Sequence, residues 1–224
     1  MGRLTRLTLL ATLLAVLLSH VSLSDACSCT LQHPQTQFCQ ADFVAVVRVK
    51  QRLKVNDHEV AYKVKVHRVF KAIPKARIAL ERKPLWLWSP ATDNMCAVPF
   101  LNPGKTWVVG GRMIGGKPSL SLCNIWKLWS EVTPRQRKGF RKLYHDGCSC
   151  QISYTEWWKK GVVFESTGGK QCLWESTPGP QDCQESHGIC MRGRSGCSWA
   201  PSPAYKKCIM QHQRHREQHR TREI

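Results

Sequence analysis

The segment Cys27-Ser28-Cys29 is the part of this chain that points most clearly to a specific chemistry, because of the residues that precede it. Residues 1–26 carry a basic start, an apolar run from Leu7 to Leu18, and small residues where a signal peptidase reads. We therefore expect a signal peptide over 1–26 that is cleaved after Ala26; an uncleaved anchor is the alternative. Cleavage would make Cys27 the first residue, with a free α-amino group beside its own carbonyl oxygen.

An α-amino group and the carbonyl oxygen of the same residue can bind one metal ion as a five-membered chelate. The pKa of an α-amine is about 7.7 to 8.0, so a neutral lone pair is accessible near physiological pH. Disulfides from Cys27 and Cys29 would hold this terminus rigid, whereas most chain ends fray. The segment therefore predicts a rigid chelating terminus, suited to capping the zinc ion of another protein.

The chain has 12 cysteines, and secretion would place them in an oxidising compartment. An even count in that compartment predicts six disulfides. A metal site is the weaker interpretation, because the close pairs Cys27/Cys29 and Cys148/Cys150 lack the spacing of zinc ribbons. The sequence alone leaves the pairing of these cysteines open.

The cysteines also divide the chain. Half of them are spread over a strand-rich stretch, and the other half are crowded into a shorter stretch rich in Gly, Ser and Pro, which is typical of a small disulfide-stapled domain. We expect one domain over 27–149, a second over 150–208, and a disordered basic tail over 209–224. A weak metal site at His212, His215 and His219 of this tail is the alternative to simple disorder.

Period-two alternation over Phe43–Val55 and Val60–Phe70, with turn residues between them, predicts a long antiparallel hairpin. Further strands are predicted at Arg77–Arg82, Leu85–Trp88, Trp107–Arg112 and Leu120–Cys123. Helices are predicted at Pro34–Asp42 and after Thr133 as N-cap, the latter burying Phe140, Leu143 and Tyr144. The pattern favours a mainly β fold with added helices, built as a small closed barrel; an open sandwich is the alternative.

The charge is strongly basic: 34 Lys and Arg against 15 Asp and Glu give a formal net charge of +19. One face of the predicted hairpin would carry Lys50, Arg52, Lys54, Lys63 and Lys65. Such a face should attract extracellular polyanions such as sulfated glycosaminoglycans, although a merely solvated face is the alternative. Nucleic acid is not expected as a partner in this compartment, and no further segment is long and apolar enough to span a membrane.

Enzyme motifs are absent from the sequence. Pro103-Gly104-Lys105-Thr106 resembles the end of a phosphate-binding loop, but Pro99 stands where its first glycine is required. Few acidic residues are available for general acid–base chemistry, and no nucleophile motif is present. A catalytic triad assembled from scattered residues is the remaining alternative. We expect a protein that is not an enzyme.

Several short segments, in their order and spacing, resemble the tissue inhibitors of metalloproteinases, over essentially all of the chain after residue 26. The segments are Cys27-Ser28-Cys29, His33-Pro34-Gln35-Thr36, Cys39-Gln40-Ala41-Asp42, Tyr62-Lys63-Val64, Phe70-Lys71, Met95-Cys96, Leu122-Cys123-Asn124, Gln136-Arg137-Lys138-Gly139-Phe140, Cys172-Leu173-Trp174 and Cys197-Ser198-Trp199.

This resemblance implies a netrin-like domain built on an OB-type five-stranded closed β-barrel, followed by a small disulfide-rich C-terminal domain. It also implies the disulfides Cys27–Cys96, Cys29–Cys123, Cys39–Cys148, Cys150–Cys197 and Cys172–Cys190. Cys183 and Cys208 have no counterpart in the common family pattern, and we expect them to pair with each other.

The resemblance implies inhibition by occlusion: the Cys27 amine and carbonyl would replace the attacking water on the catalytic zinc of a metzincin, and Ser28 would point toward the specificity pocket. The implied protease-contacting residues are Cys27, Ser28, Cys29, Thr30, Asp93, Asn94, Met95 and Cys96. The implied partners are matrix metalloproteinases and related metzincins. We expect a secreted monomer without a cofactor of its own; a non-inhibitory, matrix-binding netrin-like module is the alternative.

Overall fold

The computed structural model describes residue 2 and residues 27–156, 159–168, 171–176 and 182–220. Apart from residue 2, the predicted signal peptide over 1–26 lies outside these residues, and so do residues 221–224 of the predicted tail. Among the helices of the described ranges, none is long and apolar enough to cross a membrane.

Residues 27–149 form the N-terminal part, in which strands dominate. The strands are β1 (Phe43–Lys54), β2 (Glu59–Ala72), β3 (Leu85–Pro90), β4 (Thr106–Ile114), β5 (Lys117–Ser119) and β6 (Trp126–Leu128). The helices are α1 (Pro34–Gln40), α2 (Pro74–Glu81), α3 (Pro134–Lys138) and α4 (Tyr144–Asp146), with a 3₁₀ turn at Asp93–Met95 and a π-helical turn at Gly139–Leu143.

The N-terminal part is a closed five-stranded barrel, as predicted. Neighbouring strands follow the order β1-β2-β3-β5-β4, and β4 also pairs with β1, which closes the ring. β6 adds to β4 as a sixth strand. The pairings are antiparallel except for a short parallel contact of β3 with β5 at Trp88 and Ser119. Closure overturns the alternative of an open sandwich.

Apolar side chains fill the barrel along the period-two pattern of its strands. Those with no more than 2% exposure include Phe43, Ala45, Val47, Val49, Val60, Tyr62, Leu87, Val109 and Leu120. A second apolar cluster lies outside the barrel, where Phe38 of α1 packs with Phe140, Tyr144 and Ile189. Because Ile189 follows residue 150, the two parts of the chain share this cluster.

Two predicted strands are wrong. Residues 77–81 lie in α2 and Arg82 is its C-cap; the helix begins with Pro74 at its first turn and buries Ala76, Ala79 and Leu80 at helical spacing. Residues 120–123 form no strand, because the strand there ends at Ser119 and β6 begins at Trp126. The N-cap prediction is confirmed: the Thr133 hydroxyl accepts from Gln136 N–H, and the Gln136 side chain accepts from Thr133 N–H.

The C-terminal part consists of short paired elements. They are β7 (Ile152–Glu156), α5 (Lys160–Ser166), β8 (Cys172–Ser176), α6 (Cys183–His187), β9 (Cys190–Gly193), β10 (Gly196–Trp199) and α7 (Pro203–Arg220). β7 and β8 pair in parallel, whereas β9 and β10 form an antiparallel hairpin. With so few apolar side chains between such short elements, disulfides must supply much of the order.

The chain bears six disulfides and no free cysteine. They join Cys27 to Cys96, Cys29 to Cys123, Cys39 to Cys148, Cys150 to Cys197, Cys172 to Cys190 and Cys183 to Cys208. The first five are the pairs that the family resemblance implies, and the sixth is the pair expected of the two cysteines that have no counterpart in the family pattern.

The basic tail differs from the expected disorder, since α7 continues to Arg220. The helix is anchored by Cys208, through its disulfide to Cys183, and by His212, which is only 7% exposed one turn later. The His212 ring lies close to both sulfurs, but these are bonded to each other and offer no thiolate to a metal. The side chains of His215 and His219 lie outside the described residues.

Two side chains of the N-terminal part insert into the C-terminal part. His33, 1% exposed, directs Nε2 to the Gln184 carbonyl oxygen at 2.8 Å, and its ring centroid lies 5.4 and 5.2 Å from those of Trp174 and Trp199. The Gln35 amide donates to the Cys190 carbonyl oxygen at 2.8 Å and accepts from the Cys190 N–H at 2.9 Å. These contacts join the two parts through satisfied buried polar groups.

Burial lowers the pKa of His33 from 6.5 to about 4, despite its bond to Gln184. The ring is therefore neutral at physiological pH. Its Nδ1 accepts from the Gln35 N–H at 3.1 Å, so Nε2 carries the proton that is donated to Gln184. Protonation would place an uncompensated charge between two indoles, and acid should weaken the contact between the two parts.

We predict that the free energy of unfolding falls as the pH is lowered from 6.5 to about 4. The folded pKa of His33 is depressed, so the unfolded chain binds more protons in this interval and the fold is fully stable only above it. The loss from this group should be on the order of 3 kcal/mol. Urea denaturation of the wild type and of His33→Gln at several pH values measures it.

The His33→Gln variant should be less stable at neutral pH but should lose less stability on acidification. His58→Gln, at an exposed histidine in the turn before β2, is the matched control and should keep the wild-type slope. The same slope in His33→Gln as in the wild type would show that other groups carry the acid sensitivity.

A second prediction concerns barrel closure at Gly111 in β4. A Cβ at this position would overlap the Ser119 carbonyl oxygen of β5 and lie 2.9 Å from the Phe43 ring. Gly111→Ala should therefore destabilise the protein by about 1 to 3 kcal/mol. Gly161→Ala in α5, where a Cβ meets nothing within 4 Å, should be neutral or slightly stabilising in the same denaturation assay. Equal stabilities would contradict the tight approach of β4 and β5.

Candidate functional site

The predicted site residues form one exposed edge of the barrel. We call this set, residues 27–30 together with 93–96, the N-terminal edge. Ser28, Cys29 and Thr30 are exposed, Cys27 is half-buried, and the segment forms neither helix nor strand. The structure thus brings together the two stretches that lie more than 60 residues apart in the sequence, through the bond from Cys27 to Cys96.

Two adjacent disulfides hold the edge. Cys27 and Cys29 are each bonded to a loop of the barrel, with Cα–Cα distances of 5.2 Å to Cys96 and to Cys123. The sulfurs of Cys27, Cys29 and Cys123 lie within 4.8 Å of one another, so the two bridges are packed side by side. Ser28 is therefore an exposed residue fixed covalently on both sides.

The second stretch of the edge is shaped by the end of β3. After Pro90 the chain enters the 3₁₀ turn Asp93–Met95, and Cys96 follows with φ of 62°, in the left-handed region. Hydrogen bonds from Met95 and Ala97 N–H to the Thr92 carbonyl, at 3.0 and 3.2 Å, close this turn. The Cys96 carbonyl accepts from Leu122 N–H at 2.9 Å, which ties the turn to the loop of Cys123.

The donor set at the edge cannot hold a metal ion by its side chains. Among the described side chains, the only potential metal ligands that cluster at the edge are the sulfurs of Cys27, Cys29 and Cys123. All three sulfurs are in disulfides and are therefore not free to bind a metal ion. The backbone of residue 27 offers a carbonyl oxygen and, where the chain starts at that residue, an amine. Two such donors are fewer than the three or four protein ligands of a zinc site, so stable zinc binding at this edge would need ligands from another protein.

The predicted basic face is divided by a β-bulge. The pairing of β1 with β2 shifts between Val49 and Gln51, leaving Lys50 without an opposite residue. Beyond the bulge, Arg52 lies opposite Tyr62, whose side chain is in the barrel core. Residues opposite each other in a sheet share a face. The side chains of β1 beyond Lys50 therefore lie on the opposite faces of the sheet from those predicted.

As a result, the five predicted basic residues do not form one row. Arg52 lies over the exposed Phe100 ring, 5.6 Å from its centroid, and Lys54 pairs with Asp57 at 2.7 Å. Lys63 and Lys65 remain together on the outer face of β2. The prediction also missed Arg48, which lies opposite Lys65, and the half-buried Trp86, which lies opposite Lys63.

Known proteins are similar to this chain over most of its length. The family described as tissue inhibitor of metalloproteinase matches residues 25–199. A tissue inhibitor of metalloproteinase of Drosophila melanogaster is 32% identical over 214 residues, which cover 91% of this chain and 94% of that protein. Two proteins of Gallus gallus are also similar: metalloproteinase inhibitor 2 (30% identical; 86% of this chain, 89% of that protein) and metalloproteinase inhibitor 3 (28%; 83% and 89%). With its closed barrel and this match, the chain belongs to the tissue inhibitor of metalloproteinase family.

Proposed function

We propose that this protein inhibits zinc metalloproteinases of the metzincin type by placing the amine and carbonyl of Cys27 on their catalytic zinc. The observation that carries the proposal is the exposed Ser28 fixed between two disulfides, beside the Asp93–Met95 turn. Cleavage after Ala26 is part of the proposal, because only then does Cys27 have a free amine. Family membership supports inhibition; the chelating mechanism is the step beyond it.

The chemistry follows from the open coordination position of such proteases. A catalytic zinc has three protein ligands and a water that attacks the substrate. A neutral amine and a carbonyl oxygen from one residue would displace that water and leave no nucleophile. Ser28 would then enter the pocket beside the zinc, and Cys29 and Thr30 would continue along the substrate-binding cleft. The Asp93–Met95 turn, in which Met95 is 43% exposed, would contact the protease next to them.

The rigidity of the N-terminal edge would account for tight binding. A flexible peptide loses about 0.5 to 1.5 kcal/mol for each side chain that is ordered on binding, in addition to backbone entropy. In this chain the ordering is already provided on folding, by the two adjacent disulfides and by the burial of His33 four residues after Cys29. A larger part of the favourable contact energy with the protease would therefore contribute to the binding affinity.

We further propose that the protein acts outside the cell, as a monomer and without a cofactor of its own. All 12 cysteines are in disulfides, which persist in oxidising compartments and are rare in the cytosol. The relatives are named as inhibitors, which supports a non-enzymatic role. Matrix metalloproteinases and related metzincins are the proposed partners.

The first test concerns the free amine. Protein that starts at Cys27 should inhibit a metalloproteinase catalytic domain, whereas protein with one additional alanine before Cys27 should not. An acylated nitrogen has no lone pair for zinc, and the added residue would collide with the metal ligands. Titration of protease activity with both forms, after mass determination of each N-terminus, measures the difference.

One alanine added after Ile224 is the matched control and should leave inhibition unchanged. Equal potency of the two N-terminal forms would exclude the chelating mechanism, while leaving open inhibition by another surface. Absence of inhibition by every form would instead favour a non-inhibitory, matrix-binding module.

The second test concerns the Cys27–Cys96 bridge. The double variant Cys27→Ser/Cys96→Ser keeps the backbone chelate and introduces no free thiol. The control Cys39→Ser/Cys148→Ser removes a bridge of similar loop length, 109 residues against 69, away from the edge. Each should cost about 2 to 5 kcal/mol of stability. Only the first should weaken inhibition measured well below both melting temperatures.

This comparison separates preorganisation from stability, because both variants lose a native disulfide. Equal inhibition by the two folded variants would mean that Cys29–Cys123 alone positions the terminus. In that case the hydrogen bond from Leu122 N–H to the Cys96 carbonyl would suffice to hold the Asp93–Met95 turn beside the terminus.

A further inference from the structure

The Cys183–Cys208 bridge joins α6 to α7 and differs from the other five bridges. Neither cysteine has a counterpart in the common family pattern, so no role shared by the family accounts for this pair. Both side chains are buried, with exposures of 1% for Cys183 and 5% for Cys208. Within the described part of the chain, α7 packs mainly against α6. The bridge therefore crosslinks the C-terminal helix to the element on which it rests.

A buried histidine faces this bridge. His212 lies four residues after Cys208 in α7, so the two side chains share one face of the helix. A ring nitrogen of His212 and the sulfurs of Cys183 and Cys208 all lie within 4.8 Å of one another. The imidazole is more than nine-tenths buried, and it forms no hydrogen bond or ion pair with another residue of the described ranges.

Packing alone does not explain a histidine in this position. A neutral imidazole has one N–H donor and one nitrogen acceptor, and a buried polar group without a partner costs free energy of folding. The nearest groups are the two sulfurs, and sulfur accepts hydrogen bonds only weakly. An ion that binds both the ring nitrogen and the sulfurs would remove this cost.

The same three side chains fit a metal ion once the bridge is open. Zinc binds Cys sulfur at about 2.3 Å, so two sulfurs in a tetrahedral site lie about 3.8 Å apart. The Cα atoms of Cys183 and Cys208 are 5.7 Å apart, which lets both sulfurs reach one ion by side-chain rotation. Two ligands four residues apart on one helix are also the arrangement in helical zinc motifs.

We propose that Cys183, Cys208 and His212 form a zinc site that becomes available when their bridge is reduced. Two molecules of a small thiol such as glutathione open the disulfide: the small thiols are oxidised to their own disulfide, and the two protein sulfurs are reduced to thiols. A zinc ion then replaces the two thiol protons, which pass to water, and the neutral His212 ring supplies its lone pair. Water takes the fourth position.

The zinc ion would keep α7 attached under reducing conditions. Without a metal, opening the bridge leaves α7 held on α6 by side-chain packing alone. With zinc, the two helices stay joined by coordinate bonds from Cys183, Cys208 and His212, so a metal crosslink replaces the covalent one. The oxidised protein has no free thiolate at this position and needs no cofactor. The site also lies away from the N-terminal edge and does not depend on protease inhibition.

The experiment measures whether zinc shifts the reduction of this bridge. The full chain is equilibrated at a series of reduced-to-oxidised glutathione ratios, with and without buffered free zinc. Differential alkylation and mass spectrometry give the reduced fraction of each bridge. Because zinc binds the reduced form, a free concentration about ten times its dissociation constant should raise the reduced-to-oxidised ratio of Cys183 and Cys208 about tenfold. The neighbouring Cys150–Cys197 bridge, which has no such histidine among the described side chains, should shift by less than about twofold.

Two variants test the histidine. His212→Gln should abolish the zinc-induced shift and leave the ratio without zinc within about twofold of the wild type, because only the metal-bound form uses the ring. His58→Gln, at an exposed histidine, is the matched control and should keep the full shift. Thermal denaturation checks that each variant is folded. The imidazole NMR signals of His212 provide a readout on the wild type, since zinc should move them in the reduced protein and not in the oxidised one.

Three results would overturn the proposal. An unchanged ratio at Cys183 and Cys208 would show that the open pair does not bind zinc. Equal shifts at Cys150 and Cys197 would show that zinc is captured by any reduced pair. An undiminished shift in His212→Gln, or unmoved His212 signals in the reduced wild type with zinc, would remove the histidine from the site. None of these measurements involves a protease, so their failure would leave the proposed inhibition untouched.

Discussion

The segment from Cys27 to His33 forms neither helix nor strand, so its position depends on bonds to the rest of the molecule. Covalent bonds at Cys27 and Cys29 attach it to the loops that follow β3 and β5, and the buried ring of His33 attaches it to the C-terminal part. Both loops are in place only because β1 closes the barrel against β4. The barrel therefore holds the N-terminal edge in place, although the segment itself forms neither helix nor strand.

Much of the fold and of the N-terminal edge could be predicted from the sequence, because the patterns that indicate them are local or because the cysteine positions are distinctive. The alternation in β1 and β2, Pro34 at the start of α1, and the Thr133 cap all describe interactions within a few residues. Helix α2 was mistaken for a strand, since Ile78 and Leu80 are spaced by two. Its burial instead follows Ala76, Ala79 and Leu80, and Ile78 is 63% exposed. Pro74 was the signal that could have corrected the prediction.

The β-bulge at Lys50 could not be predicted from the alternation of residue types. A bulge adds one residue to one strand, and a sequence of alternating cations and apolar residues looks the same on either side of it. Leu53 and Val55, the apolar residues of the alternation beyond the bulge, are 46% and 42% exposed.

The pairing of Cys27 with Cys96 and Cys29 with Cys123 links the edge to the redox state of its surroundings. Reduction of these two bridges would release both stretches of the edge, while the other four bridges would still join the remaining parts of the chain. Thermodynamic linkage makes the effect reciprocal. A partner that binds only the form with both disulfides makes these disulfides harder to reduce. The added free energy of reduction equals the free energy by which the partner prefers the disulfide-bonded form. In a mildly reducing environment, the bound protein would outlast the free one.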